Sequence, residues 1–194
     1  MVKRMALHKV IEKIHIDKLI FSCNTTREKI MIYLLLETGM RVSDLVRIKW
    51  TDFDFEVNTL EYTSKKTKRT VHIPITKNIV TILKQWRPIH SSMYSKFKEE
   101  RVIPVSESRI RQILKTIKER ANIKRKITPH DFCVTAISNL AKNGVPIGAA
   151  CVITGRSPKT MITYYEKYNL TELRRYQESS SLLKLGEINA LSDS

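Results

Sequence analysis

The side chains best suited to chemistry are an arginine between two helical stretches, a run of lysines at a turn, a histidine behind a proline and a cluster of tyrosines. Each suits work on a phosphate. Arg41 follows Glu37-Thr38-Gly39-Met40 and precedes Val42-Ser43-Asp44-Leu45. Held in the joint between two helices, its guanidinium offers a rigid fork to a phosphate while neighbouring acidic and backbone groups orient it. Lys65, Lys66, Lys68 and Arg69 crowd the polar tip of a hairpin and suit contacts to a phosphate backbone. His130, in Thr128-Pro129-His130-Asp131-Phe132-Cys133, carries an imidazole whose pKa lies near neutrality and which can pass a proton. Tyr164, Tyr165 and Tyr168 close the set. A phenol has a pKa of about 10, so it serves as a nucleophile only where its proton is removed and the pocket is rich in positive charge. Taken singly, the same tyrosines also read as helix-packing residues.

The charge balance names the partner class. Among 194 residues, 35 are lysine or arginine and 19 are acidic, a formal charge of +16. Such an excess calls for a polyanion. An anionic membrane is the poorer choice, since no apolar run approaches the roughly 18 residues of a spanning helix. The basic residues are interleaved with apolar ones along the whole chain, which suggests a folded face tracking phosphates. Nucleic acid is therefore the expected partner, and RNA is the weaker form of it because aromatic stacking motifs are lacking. Cys23, Cys133 and Cys151 have neither zinc-site nor disulfide-framework spacing. His130 and Cys133, three apart, have no second ligand pair to complete a metal site. The N-terminus breaks its apolar residues with charges and lacks the core of a secretory signal. These features lead to the expectation of a cytoplasmic protein in a reducing interior.

The elements that must position these groups follow from periodicity. Helices are expected over Ala6–Ile20, Arg27–Glu37, Val42–Ile48, Ile79–Gln85, Glu107–Ala121, Phe132–Lys142, Pro146–Ile153 and Lys159–Tyr164, punctuated by Gly39, Pro88, Pro104, Pro129, Gly144 and Gly155. Thr59–Thr63 and Thr70–Ile75 are rich in β-branched and aromatic residues that alternate in polarity, so they read as the strands of a hairpin. His90–Arg101 reads as a surface loop. Ser179–Ser194 reads as a tail with a short apolar helix at Leu182–Leu185. The fold class is mainly α with a small antiparallel β-sheet (α+β), the sheet three-stranded and at one edge.

Four segments carry a resemblance. Thr38-Gly39-Met40-Arg41-Val42-Ser43-Asp44 resembles the first signature of the tyrosine recombinases, the phage-type integrases. Lys66-Thr67-Lys68-Arg69-Thr70-Val71-His72-Ile73-Pro74 is similar to that family's Lys-Thr-Gly-Lys-x-Val-x-Ile-Pro hairpin. Thr128-Pro129-His130-Asp131-Phe132-Cys133 resembles its Thr-Pro-His-x-Leu-Arg box. Ile153-Thr154-Gly155-Arg156-Ser157 through Tyr165 looks like its Leu-Gly-His-Ser-x-x-x-Thr-Thr-x-x-Tyr ending. The four occur in the family's order and on the family's elements.

The resemblance implies the catalytic-domain fold over residues 1–170, with residues 171–194 a tail that could dock protomer onto protomer. It implies roles as well. Arg41 grips the scissile phosphate, Lys66 protonates the 5′-oxygen leaving group with Lys65 as a possible substitute, and His130 assists proton transfer. Tyr165, ten residues after Gly155, is the nucleophile that forms a 3′-phosphotyrosine. Lys65, Lys68 and Arg69 would bind DNA. Cys133 departs from the pattern, standing where a second phosphate-binding arginine belongs. Arg156 stands where histidine or tryptophan is usual and could supply the missing charge. Because the covalent intermediate conserves the bond energy, neither ATP nor metal is needed, so no cofactor is expected. The resemblance covers about residues 5 to 170, without the family's separate N-terminal DNA-clamping domain, as for a trimmed or minimal member. The implied partner is double-stranded DNA, with four protomers on two duplexes during site-specific integration or excision of a viral or plasmid genome. A type IB topoisomerase and a catalytically impaired DNA-binding protein of the same fold are the alternatives.

Overall fold

A computed structural model describes residues 10–94, 100–165 and 177–178. The described chain runs α1 (Lys13–Phe21), α2 (Thr26–Thr38), α3 (Val42–Leu45), β1 (Phe53–Asp54), β2 (Thr59–Thr63), β3 (Thr70–Pro74), α4 (Lys77–Tyr94), α5 (Glu107–Arg120), α6 (Pro129–Lys142), α7 (Ile147–Thr154) and α8 (Pro158–Tyr165). The expected class is what is seen, helices around a three-stranded antiparallel sheet of order β1-β2-β3.

Local chemistry sets the ends of these elements. Thr25 caps α2 by accepting the Glu28 amide at 3.2 Å, and Ser106 caps α5 by accepting that of Arg109 at 3.1 Å. At α6 the Thr128 amide and hydroxyl both donate to the Asp131 carboxylate, at 2.7 and 3.0 Å. α2 is central: Ile30, Met31, Ile32, Leu34 and Leu35 are all buried, and it packs on α4 and α6. In the hairpin Leu60 pairs with Ile73 and Tyr62 with Val71 on the buried face, while Glu61 and His72 pair outward at 3.1 Å. A second, smaller core of Cys133, Ile137, Ala150, Met161 and Tyr165 lies among α6, α7 and α8.

Three expected boundaries are corrected. α1 begins at Lys13, not Ala6. The Ile11 amide donates to Thr135 Oγ1 at 2.8 Å and Arg125 donates to the Val10 carbonyl at 2.9 Å, so these groups serve other elements, and residues 1–9 lie outside the described residues. α3 is one turn, because beyond it Ile48 turns its carbonyl to the Val102 amide at 3.0 Å.

The third correction is α4, which passes through Pro88 and on to Tyr94 where a surface loop was expected from His90. Two buried side chains, Trp86 and His90, anchor its far half to irregular chain. Trp86 donates to the Val102 carbonyl at 2.8 Å, and Trp50 donates to His90 Nδ1 at 3.3 Å. Since Nδ1 accepts, Nε2 carries the proton and donates to the Arg101 carbonyl at 2.8 Å. His90 is 2 % exposed. These anchors offset the hydrogen bond that Pro88 cannot donate.

The tail from Ser179, with its short helix at Leu182–Leu185, lies outside the described residues, as does Tyr168. Among the described residues no helix is long and apolar enough to cross a membrane.

Candidate active site

The site is assembled at the end of α2. Gly39 takes a left-handed conformation, φ 62°, and a Cβ there would meet Ala136 and Thr154 side-chain atoms at 3.3 Å. A residue without a side chain therefore lets α2 stop against α6 and α7 at once. Two residues later Arg41 is extended, and its carbonyl opens α3. Its guanidinium faces the Asp44 carboxylate at 3.9 Å.

Asp44 is 1 % exposed and has more than one partner. It accepts the Lys65 amide at 2.8 Å and the Ser64 hydroxyl at 3.5 Å. One buried carboxylate thus ties the arginine joint to the base of the hairpin, and its charge is compensated by both. The hairpin tip is then closed by Ser64 and Arg69, amide to carbonyl at 2.9 Å, with Lys68 left-handed at φ 57°.

The two neighbouring lysines part company at this tip. Lys65 reaches away to Glu107 at the start of α5, 3.0 Å, and that pairing, with Arg111 behind it, holds the Glu107 carboxyl below its ordinary pKa. Lys66 instead lines a groove of about 560 Å³ together with Arg41, Arg69, His72 and Arg156. Among the described residues that line it there is no carboxylate. A concave surface with four fixed cations and no anion concentrates field for a phosphate.

Arg156 enters this groove from α7 and the turn that follows it. Gly155 is left-handed, φ 60°, and a Cβ on it would lie 2.8 Å from Val71 Cγ2. Gly155→Ala is therefore expected to cost on the order of 1–3 kcal/mol from backbone strain alone. Thermal unfolding followed by circular dichroism should show a midpoint several degrees lower; an unchanged midpoint would mean that α7 and β3 separate freely. Beyond Gly155, Arg156 Nη2 donates to the Gly39 carbonyl at 3.0 Å and to Cys133 Sγ. Cys133 is 3 % exposed, directly under the guanidinium.

Not every expected residue joins the groove. His130, in the first turn of α6, is exposed and does not line it. Lys68 is exposed at the tip and outside the lining. Tyr165 is 5 % exposed and packs into the small core beside Cys133 and Met161. Tyr164 is half-buried, and its phenol is raised by burial and by Cys133 while Arg156 pulls it down. Both tyrosines of α8 thus sit around the Cys133 and Arg156 pair.

Three contributors were missed or half-seen in the sequence. Asp44 was expected only as a neighbouring acidic group that orients Arg41, and its spacing from Ser64 and Lys65 gave no sign of the staple. Glu107 carried no signal beyond its place at a helix start. Tyr62, inward on β2, lies behind the groove and is pushed up to about 12 by burial and Asp44 against the pull of Arg41 and Arg156. Among the described residues no group of three or more histidine, cysteine or acidic side chains is gathered.

Comparison with known proteins fits this geometry. Residues 6–172 match the phage integrase family. The tyrosine recombinase XerA of Thermococcus onnurineus is 26 % identical over 162 residues, 81 % of this chain and 57 % of that protein. A probable integrase/recombinase of Acholeplasma phage L2 is 29 % identical over 164 residues, 81 % and 56 % of the respective lengths. The chain spans a little over half the length of these curated relatives. Among solved structures, a XerA recombinase superposes with a TM-score of 0.72 at 21 % identity, covering 90 % of this chain and 66 % of that one. The XerH recombinase in a pre-cleavage complex with its difH substrate gives 0.73 at 17 % identity, covering 94 % and 56 %. At these identities the superpositions show the fold, which is that of the tyrosine recombinase catalytic domain. With the family matched over most of its length, the chain belongs to the phage integrase family.

Proposed function

We propose that the protein is a site-specific DNA recombinase of the integrase type, cutting and rejoining strands through a 3′-phosphotyrosine. The observation that carries this reading is the carboxylate-free groove in which Arg41, Lys66, Arg69 and Arg156 converge from three parts of the fold. A scissile phosphate held there is gripped by Arg41. The Tyr165 oxygen forms a bond to phosphorus, the bond to the 5′-oxygen breaks, and Lys66 protonates that oxygen. The phenolic proton passes to a base, for which His130 is the proposed acceptor. Attack by a 5′-hydroxyl reverses the steps and releases the tyrosine, with no net consumption of a cofactor.

Tyr165 starts from the small core, so the reaction requires α8 to shift and bring its hydroxyl to the groove when DNA binds. The XerH and lambda integrase relatives have been solved on their DNA sites, the latter as a dimer on a core site. By that analogy the partner proposed here is duplex DNA in the cell interior, with protomers assembling on it. The catalytic unit is proposed to end near residue 170, and residues 171–194 to link protomers.

Salt dependence reads the charge of the groove. If each of the four groove cations neutralises one phosphate, the logarithm of the binding constant should fall against the logarithm of salt with a slope of about −3.6 or steeper. Fluorescence anisotropy on a labelled duplex measures it, and a flat dependence would remove the groove from the DNA interface. The function itself is tested by incubating the protein, in EDTA, with a nicked suicide duplex that traps the cleaved state. A band that survives denaturing electrophoresis and joins protein to DNA supports the recombinase. Tight, salt-sensitive binding with no such band across varied DNA would favour a catalytically silent binder of the same fold. Relaxation of supercoils without strand exchange would favour a type IB topoisomerase.

A further inference from the structure

Cys133 is the place where this chain departs from the box it resembles, and its surroundings assign it a use. The sulfur lies under the groove on α6 and accepts a hydrogen bond from Arg156 Nη2. The same nitrogen donates to the Gly39 carbonyl at 3.0 Å. Arg156 Nε is buried, and among the described residues it has no hydrogen-bond partner. One end of the guanidinium is thus seated on α6 and on the end of α2, and its backbone is fixed by Gly155, which has no room for a Cβ beside Val71.

Both acceptors are uncharged. Burial raises the Cys133 thiol above its ordinary pKa, with Arg156 and Arg41 only partly opposing it, so the sulfur stays a thiol at neutral pH. A carboxylate in this place would hold the arginine but cancel its charge. A thiol and a carbonyl orient it and leave the positive charge available to a phosphate.

We propose that Cys133 is a positioning residue, whose sulfur seats Arg156 in the groove beside Arg41 so that position 156 supplies the phosphate-binding arginine that the family's box places at 133. Cysteine at 133 and arginine at 156 then form one exchange. An arginine restored at 133 meets the guanidinium already there, two like charges side by side at the buried floor of the groove. The assignment rests on the recombinase reading for its catalytic consequence, and the orientation of Arg156 can be followed without catalysis.

The test uses the full chain and the suicide duplex, with the cleavage rate at saturating DNA and the dissociation constant measured separately. Displacing a reacting or charge-stabilising group by about an ångström costs roughly 100-fold in rate. Cys133→Ala is accordingly expected to slow cleavage by about 10- to 100-fold with affinity changed less than about twofold, and Cys133→Ser, which restores an acceptor, recovers most of that loss. Cys133→Arg is slower than wild type, Arg156→His loses about 100-fold or more, and the double variant Cys133→Arg/Arg156→His is faster than Arg156→His alone.

Nitrogen-15 NMR of the arginine side chains reads the seat directly. The Arg156 guanidinium resonances, identified by their loss in Arg156→His, should be dispersed in wild type and Cys133→Ser and averaged in Cys133→Ala. A wild-type rate in Cys133→Ala, a loss that serine does not recover, a gain in Cys133→Arg with Arg156 in place, or Arg156 signals indifferent to position 133 would each overturn the assignment. Absence of any adduct from wild type would sink the recombinase reading instead, and the NMR comparison would still decide whether Cys133 seats Arg156.

Discussion

Tyr165→Phe should abolish covalent capture of DNA while leaving affinity and thermal stability close to those of the wild type. The substitution deletes one oxygen and no ring. Tyr165 is buried in the small core with Cys133, Ile137, Ala150 and Met161, and phenylalanine keeps the ring there. What disappears is the only atom proposed to bond to phosphorus, so the loss should be complete within detection and not a fraction. Tyr164→Phe is the control, because that phenol lies one position away and also feels Arg156. It should retain capture. Denaturing electrophoresis of the trapped complex reads both variants, and anisotropy under matched salt shows that binding persists. Capture retained by Tyr165→Phe and lost by Tyr164→Phe would transfer the role to the half-buried neighbour.

Arg41→Lys should lower cleavage by about 100- to 1,000-fold, the loss seen when one preorganised donor to transition-state charge is removed. Lysine keeps the charge but gives up the planar fork, which alone can meet two phosphate oxygens and still lie against a carboxylate. The joint should survive, since Asp44 keeps its hydrogen bonds from Lys65 and Ser64. Binding should weaken far less than cleavage, because the other groove cations still hold the backbone. Single-turnover cleavage at saturating duplex measures the effect. A loss confined to affinity, with the rate at saturation unchanged, would make Arg41 an anchor of the backbone and nothing more.

Much of this was legible in the sequence because it is local. Gly39 before Arg41 and the alternation through Thr59–Thr63 and Thr70–Ile75 are short-range signals, and the helix joint and the hairpin follow from them, whereas α6, expected from Phe132, starts at Pro129 because Thr128 and Asp131 cap it there. The groove residues Arg41, Lys66, Arg69 and Arg156 were legible through their resemblance to a family, which encodes a spatial arrangement that no single segment contains. The contacts that escaped are tertiary. Pro88 reads as a stop, yet α4 continues because Trp86 and His90 find carbonyls in a segment more than ten residues away.

The same limit applies within the site. Lys65 and Lys66 are indistinguishable as neighbours in the chain, and only the position of Glu107 separates the tethered one from the one in the groove. Cys133 looks like a lost arginine until Arg156 is seen resting on it. Tyr165 and His130 were expected at the phosphate, and one is packed inside while the other lies on the surface outside the groove. With the roles proposed for them, Tyr165 and His130 reach a phosphate only if α8 and the start of α6 shift, a change in three dimensions that spacing along the chain does not encode.

Peptide mapping of the trapped complex shows whether a tyrosine of α8 becomes joined to DNA. Protein incubated with a suicide duplex is digested with trypsin and nuclease, and the nucleotide-bearing peptide is sequenced by mass spectrometry. A single modified residue is expected, Tyr165, attached through a 3′-phosphate. A nucleotide attached to a serine, a lysine or a tyrosine outside α8, or no attachment on any duplex that the protein binds, would contradict it.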